Sequence, residues 1–186
     1  MEHISYIKRN ATNSIRNLHR ANNILPLKQK RVLYNSLVVP HFSYGDIIWN
    51  CCSKENSKKI QQAQNFAVKS ILGLGKRSSS TEALKQLQLL PLEEKRNIHS
   101  AVFVKKALDG VGPKETLDKY NNLKRPEDLR PGTLQIPKHK STQYEKGPLY
   151  TSIKVWNSIP NHFKNLKLNQ FKDNLQKYQL NNFLKS

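Results

Sequence analysis

Over several long stretches of this chain the apolar residues recur at intervals of three or four, and that spacing limits what it can fold into. Ile4, Ile7, Ala11, Ile15, Leu18 and Leu25 are separated by three, four or sums of the two. At about 100° per residue they share one side of a helix running from His3 to Leu25. Ile60, Ala63, Ala67, Val68, Ile71 and Leu72 repeat the pattern, as do Phe171, Leu175 and Tyr178 near the end, with Phe183 beyond. The expectation is an all-α protein.

Local signals place the ends of these helices. Pro26 closes the first, and Leu27 opens a second that Pro40 breaks or kinks, since proline has no N–H and collides with the preceding turn. Gly45 adds a bend, and Ile47, Ile48 and Trp49 then supply more core surface. The apolar side chains of LYNSLVVPHFSYGDIIWN (Leu33–Asn50) are accordingly expected to be mostly buried in a kinked core helix. Ser53 is an N-cap candidate, with Asn56 where Glu would complete a capping box, and Gly73 and Gly75 close that helix. Thr81 is a cap candidate for a short helix with Leu84 and Leu87 inside. Pro91 suits the first turn of a helix reaching Leu108, with Glu93 and Glu94 near its positive end and Lys105 and Lys106 near its negative one.

After Gly110 the character changes. Pro113, Pro126, Pro131, Pro137 and Pro148 recur with no periodic apolar face, which reads as a linker. Tyr150, Ile153, Trp156 and Ile159 then stand three apart, before a last helix from Asn161 or Leu168. The expected organisation is a helical bundle over 1–110, a Pro-rich linker over 111–148 and a C-terminal helical segment over 149–186.

Charge narrows the partner. The chain has 32 Lys and Arg against 13 Asp and Glu, a net +19. The excess is spread: 10 basic against 3 acidic residues in 1–60, 8 against 4 in 61–110, and 14 against 6 in 111–186. A surface cationic throughout points to a polyanion, most simply nucleic acid. Arg9, Arg16 and Arg20 fall within about 40° of one another opposite the apolar side of the first helix, a stripe suited to phosphates. Lys28, Lys30 and Arg31 join them as candidate contacts. No run of basic residues resembles a membrane-surface tract, and no apolar run approaches the ~20 residues that a membrane span needs.

Signs of chemistry are weak. The six histidines form no i,i+3 or i,i+4 pair, and Cys51 and Cys52 are adjacent, so neither a zinc site nor a mutual disulfide is expected. Two cysteines fit a reducing, intracellular setting, nuclear or cytoplasmic. Asn10-Ala11-Thr12 matches a glycosylation sequon, but no signal peptide is legible before it. Gly73-Leu74-Gly75-Lys76 lacks the spacing and the preceding strand of a phosphate loop. Glu93-Glu94 is accounted for by the helix dipole, and Glu127-Asp128 sits in a proline-flanked loop. No nucleophile elbow and no metal-holding Asp-Asp pair in an apolar setting occurs. No cofactor and no catalytic residue is expected.

One resemblance is ordered along nearly the whole chain. His3-Ile4, Leu25-Pro26-Leu27, Tyr34-Asn35-Ser36-Leu37, Pro40, Tyr44-Gly45, Trp49, Gln64-Asn65, Ala67, Ile71-Leu72-Gly73, the run Leu90 to Arg96, Ile136-Pro137, the run Val155 to Pro160 and Phe171-Lys172 appear in sequence. In that order they resemble the C-terminal region of reverse transcriptases from non-LTR retrotransposons of the jockey-like LINE kind. The resemblance implies a thumb-like helical bundle and connection that grip the template–primer duplex. It also implies that the palm with its aspartates, the endonuclease and the zinc-knuckle cysteines have no counterpart here. The expectation is a truncated, non-catalytic fragment of an RNA-directed DNA polymerase that binds RNA or RNA–DNA backbone without base specificity. The alternative is a helical interaction module that packs on a missing palm or on itself, with Trp49, Trp156 and the 149–160 segment as its adhesive surface.

Overall fold

The computed structural model describes residues 2–20, 24–123 and 132–186. Among them the only regular structure is helical, and the protein is all-α. Contacts divide the chain into two compact units. The first holds Met1–Asp46, Cys52–Glu93 and Phe183–Ser186; the second holds Ile47–Cys51 and Glu94–Asn182.

In the first unit, α1 (Glu2–Arg20) buries Ile4, Ile7, Ala11, Ile15 and Leu18, the stripe its spacing dictates. It packs along α5 (Lys54–Leu72), which buries Ile60, Ala63, Ala67, Val68 and Ile71. Both ends of α5 follow from local chemistry. The Asn56 N–H donates to Ser53 Oγ at 3.3 Å, satisfying an otherwise orphan donor. Gly73 takes a left-handed φ of +67°, and the Leu74 N–H reaches back to the Lys69 carbonyl at 2.9 Å, as helices closing on glycine do. The short α6 (Ser80–Gln86) follows, capped by Ser79 rather than by Thr81, with Leu84 and Leu87 buried.

The stretch around Pro40 departs from expectation. α2 (Leu27–Leu33), a π-helical turn (Tyr34–Val38) and α3 (Val39–Ser43) follow one another without a break. Proline does not end the helix, because the wider turn before it makes room. Pro40 lies in the first turn of α3, the position at which a helix tolerates proline. The chain turns instead at Tyr44, which is extended, and at Gly45 with φ +62°, before the short α4 (Asp46–Trp49). Burial here is also narrower than the sequence suggested. Tyr34, Val38, Phe42 and Trp49 are buried, but Leu37, Tyr44 and Ile48 face solvent, Tyr44 and Ile48 at 80% and 71% of full exposure.

A buried amide relay holds this unit together. Gln64 Nε2 donates to the Leu90 carbonyl at 3.0 Å and toward Tyr34 Oη at 3.4 Å. Gln61 Nε2 donates to Gln64 Oε1 at 2.7 Å and to Asn65 Oδ1 at 2.9 Å, while Gln61 Oε1 accepts from the Leu92 N–H at 2.9 Å. Two backbone anchors thereby fix which end of each amide is oxygen.

The second unit is built on most of α7 (Leu92–Leu108), with α8 (Lys114–Asn121), α9 (Thr142–Glu145), α10 (Pro148–Ser158), α11 (Asn161–Lys164) and α12 (Leu168–Lys185), whose last residues from Phe183 belong to the first. The expected boundaries at 110 and 148 are not where contacts divide the chain. Part of the supposed linker is helix α8, whose Tyr120 is buried and hydrogen-bonded to Ser152 at 2.8 Å. Farther on, Asn157 clamps Leu134 from both sides, accepting from its N–H and donating to its carbonyl, both at 2.9 Å. Trp156 Nε1 donates to the Gly132 carbonyl at 3.0 Å. An extended segment needs no apolar period of its own when side chains of another element satisfy its backbone. Pro126 and Pro131 lie outside the described residues.

Candidate nucleic-acid interface

The cationic residues singled out from sequence lie on two helices of the first unit. Arg9, Arg16 and Arg20 are exposed on α1, opposite its buried stripe. The Arg9 guanidinium lies 5.9 Å from the centre of the Tyr6 ring, and Arg16 Nη1 donates to Asn13 Oδ1 at 3.4 Å. On α2, Lys28 and Arg31 are exposed and Lys30 is half-buried. Helix geometry turns Lys30 about 100° away from Arg31, so α2 offers two cations on one side and a third elsewhere. α1 meets the following arm through the π turn and α3, whereas α2 meets α5. The fold thus gathers the six residues into one unit, with the arginines of α1 as a single face and the cations of α2 as a separate group.

Electrostatically the two helices share a property that charge totals hide. Between His3 and Gly45 the sequence holds seven Lys and Arg and not one Asp or Glu. After Glu2 at the start of α1, neither helix carries a carboxylate, so the fields of their cations sum. Elsewhere basic residues do have acidic neighbours. Lys59 pairs with Glu55 at 2.7 Å and Lys105 with Asp109 at 2.9 Å. The neighbouring Lys59 ammonium holds the Glu55 carboxyl below its usual range.

Displaced ionisations mark structure rather than chemistry. Burial pushes the Tyr34 phenol up to about 12, against the opposing hydrogen bond from Gln64, and raises Tyr120 as well. The hydrogen bond that His139 Nε2 donates to Glu145 Oε1, and then that to the Pro137 carbonyl, raise the His139 pKa. Burial lowers Lys164, whose ammonium donates to Asn161 and lies 5.5 Å from the Trp156 ring centre. Among the described residues no group of three or more His, Cys, Asp or Glu could hold a metal ion, and neither Cys51 nor Cys52 is in a disulfide. Nor is any helix among them long and apolar enough to cross a membrane.

The adhesive surface expected of the tryptophans is not there. Trp156 is buried against Phe171, with ring centres 5.7 Å apart, and Trp49 is buried beneath the Arg96 guanidinium at 5.1 Å. Tyr150, Ile153 and Ile159 are buried too. Spacing correctly marked a continuous apolar stripe, but a stripe alone does not say whether its partner is inside the same chain.

Sequence reasoning passed over a cavity of about 650 Å³ in the first unit, at the C-terminal end of α5. His19 of α1, Phe66, Lys69 and Ser70 of α5, and Lys76 of the following loop line it. Phe66 was the available signal. It is an aromatic residue on α5 that the apolar spacing leaves outside the buried stripe, and it remains 40% exposed.

Comparison with family models, with curated proteins and with solved structures finds no match for this chain. The fold and the cationic face carry the functional reading.

Proposed function

We propose that this protein is a nucleic-acid-binding helical module, a thumb-and-connection-like part of a non-LTR retrotransposon reverse transcriptase. It grips RNA or an RNA–DNA duplex by the backbone and has no catalysis of its own. The observation that carries this reading is the carboxylate-free stretch from His3 to Gly45, whose α1 arginines stand exposed on one face. Phosphates need cations and no particular base-reading geometry, so such a face binds without sequence preference. The ordered motifs described above supply the polymerase context.

The test is duplex binding at increasing salt. Replacing Arg9, Arg16 and Arg20 by Gln lowers the slope of log K against log salt by roughly 0.7–0.9 for each phosphate that the protein ceases to neutralise. A folded chain that binds no duplex even at low salt would sink the proposal.

A second reading is a protein-interaction module, and the exposure of Leu37 and Tyr44 on the first unit favours it. Large apolar groups in solvent mark association surfaces when they are contiguous. Sedimentation decides here: a monodisperse monomer across a wide concentration range counts against self-association.

A further inference from the structure

We propose that the cavity at the end of α5 takes a single nucleotide with an unpaired base, stacked on Phe66 and held at its phosphate by Lys69 and Lys76. This goes beyond backbone gripping, since a paired base has no free face to offer.

The walls have the required chemistry. Phe66 presents its ring, and His19 closes the corner with ring centres 6.1 Å apart and planes at 40°. Bases of any identity stack on an exposed aromatic ring. Lys69 Nζ donates to the Lys76 carbonyl at 2.9 Å, which ties the loop over the helix end and leaves the ammonium with further donors. Among the described residues no carboxylate lines the cavity. Asn65 also faces it, and its Oδ1 is already taken by Gln61, whose orientation the Leu92 N–H fixes. That leaves the Asn65 NH₂ to donate to a base acceptor. Ser70 is the decisive detail. It lines the cavity, is only 4% exposed, and its Oγ has no hydrogen-bond partner. A buried hydroxyl left unpaired is costly, and a ligand polar atom in the cavity removes that cost.

His19 adjoins Arg20 on α1, on the flank between the buried stripe and the arginine face. A single strand following those arginines passes the mouth of the cavity. The same chemistry is carried by a free mononucleotide, so both sources are probed.

The experiment measures binding of the full chain to a labelled short single-stranded DNA, to the blunt duplex of the same sequence, and to AMP followed by NMR. Phe66→Ala is expected to weaken single-strand binding about 5- to 150-fold while duplex binding holds. Phe66→Tyr restores it, and Lys76→Gln lowers the single-strand salt slope by about 0.7. Ser70→Ala raises the thermal midpoint of the free protein yet weakens single-strand binding; a purely structural role for Ser70 moves only the first. AMP shifts around Phe66 that the oligonucleotide displaces assign the cavity to a strand, and shifts it does not displace assign it to a free nucleotide. Neither ligand sensing Phe66→Ala overturns the proposal. Duplex binding that needs the α1 arginines, with Phe66 without effect, sinks the cavity and leaves the backbone grip standing; single-strand binding that needs Phe66, with no duplex binding, does the reverse.

Discussion

The Val39 N–H donates to the carbonyl of Tyr34, five residues back rather than four. That one wide turn lets the helical arm pass through Pro40 while Tyr34, Val38 and Phe42 stay buried in the first unit. α1 packs against both the π turn and α3.

Pro40→Ala therefore lowers stability by about 0.4–1 kcal/mol, because it frees the unfolded chain without repairing any broken bond. A proline that truly interrupted an α-helix costs about 3 kcal/mol, and its removal would stabilise. Urea unfolding reads the sign.

Tyr34 makes the protein alkali-sensitive. Its phenol is raised from an ordinary value near 10 to about 12, chiefly by burial. Between those values the folded state keeps a proton that the unfolded chain has lost, so stability is intact below pH 10 and falls as pH rises toward 12. The loss reaches roughly 2–3 kcal/mol on this basis. Tyr34→Phe is expected to flatten that arm in denaturant titrations run at increasing pH. At neutral pH it is nearly silent, since Gln64 Nε2 retains the Leu90 carbonyl.

Gln64→Leu tests the amide relay. Its shape is close, but the Leu90 carbonyl and the Gln61 amide are deprived of their buried partner. A loss of about 1–3 kcal/mol is expected, visible as a lower urea midpoint with an unchanged slope.

In the second unit, Trp156→Ala is expected to cost about 3–5 kcal/mol. It removes a ring packed on Phe171 and the bond that holds the Gly132 carbonyl. An adhesive surface tryptophan would cost almost nothing, so thermal unfolding separates the two roles.

Sequence alone determined what is local. Three-and-four spacing fixed the buried sides of α1 and α5, because a helix repeats its own geometry whatever surrounds it. Ser53 and Gly73 fixed the ends of α5 through bonds that close within a few residues. The exposed arginine face of α1 was legible for the same reason. Tertiary structure decided the rest. The π turn exists where the arm must present Tyr34, Val38 and Phe42 to the same core across a proline. Residues 132–137, without a period of their own, are held by Asn157 and Trp156 from more than twenty positions away. The cavity beside Phe66 needs α1 and α5 side by side, and no spacing along either helix encodes that neighbour.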